Sequence, residues 1–185
     1  MPRPFDRFDQ CALAIAGAAL AMWIVASEAV VTATLVGGAA AAHLLRLCRW
    51  AGERSWREPL VAILHIGYAF VPIGFIMLAV SILRPAIVPA SAAIHAWTAG
   101  AIGIMTLAVM TRASLGHTGG VLTATRATQL LYVAAIFSAI ARLAAGFGIA
   151  HNPMLQLAAA AWVFAFAGFA VTFGPLLATR REATH

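Results

Sequence analysis

The side chains of this 185-residue sequence that could do chemistry are its histidines and a few polar neighbours. His43, His65 and His95 lie inside long apolar runs, and His117 and His151 lie at the edges of such runs. An unpaired polar group in hydrocarbon costs several kcal/mol, so imidazoles there are functional candidates by position alone. Neutral imidazole is also the commonest protein ligand for iron and copper, and membrane cytochromes hold haem between histidines of neighbouring helices. His95 opens, and Arg112 and His117 close, the stretch HAWTAGAIGIMTLAVMTRASLGHTG at residues 95–119. In LHIGY, His65 and Tyr68 stand three residues apart and share a helix face. A tyrosine so placed either donates a hydrogen bond to a small oxide held at a ligand histidine or fills a helix interface. Arg142 either snorkels to headgroups or clamps an anion, which would be Glu28 or a cofactor carboxylate such as a haem propionate. Segment 112–120, with Arg112, Ser114, Thr118 and its glycines, is either an anion-binding turn or an ordinary basic loop.

These residues need a scaffold, and composition names it. The chain is 63% hydrophobic and 10% charged with a mean hydropathy of +0.92, far from the roughly 25% charged residues of a soluble domain. It reads as an integral membrane protein. All 12 basic residues are arginines, and the formal charge of +6 suits anionic headgroups rather than nucleic acid, for which no basic run or aromatic ladder is present. Cys11 and Cys48 cannot make a disulfide framework and read as small apolar residues.

Apolar runs of the length needed to cross ~30 Å of hydrocarbon predict an all-α bundle of six transmembrane helices in one domain. The expected spans are 10–26, 29–48, 60–83, 90–111, 127–149 and 153–178. Pro59 suits a first turn, Pro72 should kink the third span, Pro175 should disturb the last turn of the sixth, and Thr123 or Thr125 should cap the fifth. With six spans, 10 of the 12 arginines fall on one side, with only Arg84 and Arg142 toward the other, so both termini are expected in the cytoplasm. Trp50 and Trp56 fit an interfacial aromatic belt. A cleavable signal peptide ending near 27–29 is the competing reading, set aside because Asp6 and Asp9 dilute the positive start. Ala96 with Gly100, Ala99 with Gly103, Gly67 with Gly74, and the pair Gly37 and Gly38 predict close helix crossings.

Depth then sorts the histidines into two layers. His43, His65 and His117 belong to an inner layer and could converge; His95, Arg142 and His151 form an outer one, and His185 is terminal.

The segments LHIGYAFVPIGF (64–75) and HAWTAGAIGIMTLAVMTRASLGHTG (95–119), with RFD (7–9) before the first span, resemble the carboxyl-terminal half of NnrS-type membrane proteins. The resemblance covers most of the chain. It implies a multi-pass protein of the bacterial inner membrane that contains haem and copper, handles nitric oxide or a related small ligand, and protects against nitrosative stress. The matching positions are His65, Gly67, Tyr68, His95, Thr98, Gly100, Gly103, Met105, Thr106, Arg112, Gly116, His117 and Gly119. Where the family continues after HTG with Arg-Pro, this chain has Gly120 and Val121, which weakens the anion-turn reading. The family body is about twice this size, so the resemblance implies a homodimer or pairing with another six-span half.

The expected ligands are His65 and His95, with His43 and His117 next, and Tyr68, Arg142 and Arg112 as supporting groups. His65 and His95 lie on the order of 15 Å apart along the membrane normal, so one iron cannot take both. Two sites, or one site and a relay histidine, fit better. Whether turnover occurs stays open. The alternatives are a non-enzymatic transporter or metal-presenting module, favoured by the lack of acids at mid-membrane, and a six-helix dihaem cytochrome b, which needs two histidine pairs at matched depths.

Overall fold

The computed structural model describes residues 4–50, 57–117 and 121–178. Among these residues it has 6 helices long and apolar enough to cross a membrane: α1 (Arg7–Val25), α2 (Val30–Arg49), α3 (Pro59–Leu83), α4 (Ala90–His117), α5 (Arg126–Gly146) and α6 (His151–Ala178). The all-helical expectation is met, with informative differences at the ends. Helix α4 runs on to His117, so Arg112 and His117 sit on a helix and not in a loop. Helix α6 continues through Pro175 to Ala178. Trp56, Thr118, Gly119, Gly120 and His185 lie outside the described residues.

Local chemistry explains the starts. Asp6 caps α1, accepting from the backbone N–H of Phe8 and Asp9, while the Asp9 carboxylate accepts in return from the Asp6 N–H, a reciprocal capping box. Pro59 occupies the first turn of α3, where its missing N–H is not needed. Thr125 caps α5 by accepting from the Thr128 N–H at 3.2 Å.

Helices in lipid gain little from apolar burial against one another, so association depends on close contact. One core cluster joins α3, α4 and α5 with Ala165 of α6, and has Ile104, Leu107, Tyr132 and Ala135 buried in it. A second joins α1, α2, α3 and α4 around Val36, Ala39, Phe75, Leu78 and Ala93. Helices α3 and α4 contribute to both clusters, and they carry the glycines that allow it. A Cβ on Gly100 would clash with Phe70, one on Gly74 with the Trp97 indole, and one on Gly103 with the Trp162 ring. Gly37 and Gly38, by contrast, have nothing within 4 Å of a built Cβ, so the crossing expected there does not form. Cys11 and Cys48 are free and exposed on the helix exteriors, so neither is packed as a core residue.

The middle of α4 is not α-helical. Residues Ala96–Gly103 form a π-helix, a wide turn that favours functional positions because it re-aims side chains. It begins one residue after His95 and contains Trp97, whose indole N–H donates to the Val71 carbonyl at 3.0 Å, beside Pro72 inside α3. The α5–α6 connection is equally constrained, with Gly148 at φ 78° and Ala150 at φ 40°. A Cβ in the left-handed region is strained, so Ala150→Gly is expected to raise stability by roughly 0.5–1 kcal/mol, read as a higher unfolding midpoint in detergent.

Candidate functional site

The first group of polar side chains lies where α2 ends and α3 begins. Arg46, one turn from the end of α2, donates through Nε to the Asp9 carboxylate at 2.8 Å and through a terminal nitrogen to the Tyr68 hydroxyl at 3.0 Å. Both members of the ion pair are largely enclosed, with Arg46 and Asp9 side chains 14% and 6% exposed. Arg49 pairs with Asp6 in the same fashion one turn further out. The guanidinium of Arg46 also lies 5.2 Å from the Trp50 ring centroid and 5.5 Å from that of Tyr68, within cation–π range. The antiparallel α1–α2 hairpin thus matches two acids spaced i, i+3 with two arginines spaced i, i+3.

Beyond Arg46 the network continues inward. The Tyr68 oxygen is 2.5 Å from Nδ1 of His43. His43 is 3% exposed and its ring stacks on Phe75, at 17° between planes. Its Nε2 is buried and has no partner among the described residues. His65, one turn before Tyr68, is held differently. Its Nδ1 donates to the Val61 carbonyl of its own helix at 3.0 Å, and its Nε2 is also buried without a partner among the described residues. The Trp50 ring covers both residues, at 4.5 Å from Tyr68 and 5.8 Å edge-on from His65.

His43, Tyr68 and Arg46 are therefore brought into one network, and His65 lies beside it. His117 and Arg112 are exposed on the last turns of α4. No group of three or more His, Cys, Asp or Glu is placed to hold a metal among the described residues, so His43, His65 and His117 do not converge on one ion. Asp6, Asp9 and Arg46 did not stand out in the sequence as site residues. The signal that could have found them is the matched i, i+3 spacing of acids at the start of α1 and arginines at the end of α2.

The second group lies at the opposite end of the bundle, between α4, α5 and α6. A cavity of about 420 Å³ is lined by His95, Thr98, Ser138, Arg142 and Trp162 with Ala99, Leu155, Ala158 and Ala159. A second of about 290 Å³ shares His95 and Arg142 and adds Ser91, Gly146 and His151. His151 opens α6 and its Nδ1 donates to the Ala145 carbonyl at 2.9 Å, which ties it to the end of α5. Ser138 and Thr98 spend their hydroxyls on the carbonyls of Ala158 and Ile94. Glu28 is exposed, and the ion pairs among the described residues are Arg46–Asp9 and Arg49–Asp6. Arg142 therefore faces these cavities with no carboxylate of the described chain to balance it, and Glu28 is not its partner.

Six apolar spans holding imidazoles at two depths define a multi-pass membrane protein with a candidate ligand site at each end. A family model described as NnrS protein matches residues 1–181, and the chain belongs to the NnrS family. No curated protein and no solved structure matches it.

Proposed function

We propose that this chain binds haem and copper in the bacterial inner membrane and acts in nitric oxide metabolism or resistance to nitrosative stress. Family membership supports the pathway, and the observation that carries the cofactor reading is His65. Its Nδ1 donates to a carbonyl, which leaves a buried Nε2 lone pair with no donor to it among the described residues. That is how a metal-ligating histidine is oriented, with one nitrogen anchored and the other presented. The two groups differ in the room they offer. The His95 cavity lies within the range of small-ligand and cofactor pockets, and it is walled by apolar side chains and Trp162. His95 is the iron ligand in this reading, and Arg142 supplies the charge for a propionate. His65, in a tighter setting under Trp50, is the copper ligand. Haem iron and copper supply sites for nitric oxide to bind and for electrons to pass. The protein would position them, line their sites with apolar residues and provide hydrogen bonds.

The cytoplasmic placement of both termini is part of the same proposal, resting on the arginine distribution. So is assembly with a second six-span body, for which α6 offers a lateral face, its apolar window being only 11% buried against 44% for α3 and α4. The decisive measurement is an ultraviolet–visible spectrum with metal analysis of protein purified after haem-sufficient and copper-sufficient expression. A Soret band with stoichiometric copper is expected; a colourless, copper-free protein of native helicity would end the cofactor reading.

A further inference from the structure

The two inner histidines are chemically opposite, and hydrogen counting shows why. Arg46 is always charged and can only donate, so its contact at 3.0 Å uses a lone pair of the Tyr68 oxygen. Among the described residues the one acceptor within reach of the Tyr68 hydroxyl hydrogen is Nδ1 of His43, 2.5 Å away. Nδ1 of a neutral His43 is then the acceptor, and the ring hydrogen must sit on Nε2. His65 is the reverse, because a carbonyl can only accept and Val61 therefore fixes the hydrogen on Nδ1. Where His65 presents a lone pair, His43 presents a buried N–H with no acceptor among the described residues. Leaving such a donor unpaired is unfavourable unless a ligand completes it.

We infer that His43 is a hydrogen-bond donor to a small oxide of nitrogen, loaded through Tyr68 and held in that state by the Arg46–Asp9 pair. The oxide class rests on the functional reading above; the donor assignment rests only on the contacts. The same chain can deliver one proton. Nε2–H passes to the bound oxide, the Tyr68 hydroxyl hydrogen moves to Nδ1, and the charge left on the phenolic oxygen faces the Arg46 guanidinium. Phe75 stacked on the imidazole keeps the ring plane fixed while this happens. Arg46 and Asp9 are positioning residues, and Tyr68 is the proton source.

The test is 15N-histidine NMR of the intact protein in micelles, assigned with His43→Gln and His65→Gln. His43 is expected to show its one-bond N–H signal at Nε2 and His65 at Nδ1. Tyr68→Phe should divide His43 between both tautomers while leaving His65 unchanged, which a merely structural tyrosine would not do. Titration with nitrite, an anionic acceptor, and nitrous oxide, a neutral one, should move the His43 Nε2–H signal more than any other histidine signal. An Nδ1–H signal for His43 in the wild type overturns the donor assignment whatever the cofactor content. An Nε2–H signal that neither probe moves overturns the ligand. A protein free of haem and copper that still shows the Nε2–H signal and its shift would sustain this inference while the cofactor reading fell.

Discussion

His65→Ala is expected to abolish copper binding while leaving the Soret absorbance, and His95→Ala to do the opposite. The argument is geometric. At 1.5 Å of rise per residue the two imidazoles belong to opposite ends of the bundle, on different contact networks, so neither can compensate for the other. Removing the sole oriented lone pair at His65 removes the ligand itself, and Val61 cannot replace it because its carbonyl is already within the α3 ladder. At the other end Arg142→Gln should weaken haem binding by roughly 10- to 100-fold, the worth of a charge-assisted hydrogen bond in a partly enclosed site. Arg142→Lys should keep part of it, having the charge but not the planar fork. Haem titration and metal analysis of each variant, with circular dichroism to confirm helicity, read these effects. Full Soret absorbance in His95→Ala together with its loss in His65→Ala would move haem to the Arg46 end.

Gly100→Leu and Gly74→Leu are expected to be the most damaging substitutions outside the ligands. Each glycine lets an aromatic ring lie directly on helix backbone, Phe70 on Gly100 and Trp97 on Gly74. A side chain at either position must displace a ring that other contacts hold. Trp97 is hydrogen-bonded to Val71 and packed edge-on against Phe75, with 4.9 Å between centroids. Overpacking typically costs about 1–3 kcal/mol and sometimes more, and here it falls on the α3–α4 contact shared by both core clusters. Gly37→Ala and Gly38→Ala provide the contrast. With open space at both positions, replacing a helical glycine should be neutral or stabilising by about 0.5–1 kcal/mol. Unfolding midpoints in a denaturing detergent titration separate the two groups, and equal effects at all four sites would refute the packing argument.

Much of the bundle is legible in the sequence because hydrocarbon imposes a simple length and composition rule. A run of some 20 apolar residues must become a helix, since no other single segment satisfies its own backbone in lipid. The same rule places His43, His65, His95 and Arg142 at their depths. Span ends were less legible. Arg112 and His117 look like loop residues by polarity, yet α4 carries them as its final turns, since helical backbone can continue into the interface with its polar side chains exposed. The glycine pairs show the same limit: spacing marks Gly37 and Gly38 as strongly as Gly67 and Gly74, but only the latter meet a neighbour.

From the sequence alone follow the membrane class, the helical fold and the axial positions of His43, His65 and His95, because these depend on composition and on rise along a single helix, while the family follows from the resemblance of segments 64–75 and 95–119. The tertiary structure decided which ring nitrogen of His43 and of His65 is left free, since that depends on the partner each ring meets, Tyr68 from a neighbouring helix or Val61 one turn back. Tyr68 reaches His43 across the α2–α3 interface, Arg46 reaches both Tyr68 and Asp9, and Arg142 meets no acid among the described residues. The π-helix at Ala96–Gly103 belongs to the same category. Hydrophobic periodicity specifies how far along a helix a side chain lies, whereas packing specifies the direction in which it points and the hydrogen bond it must make.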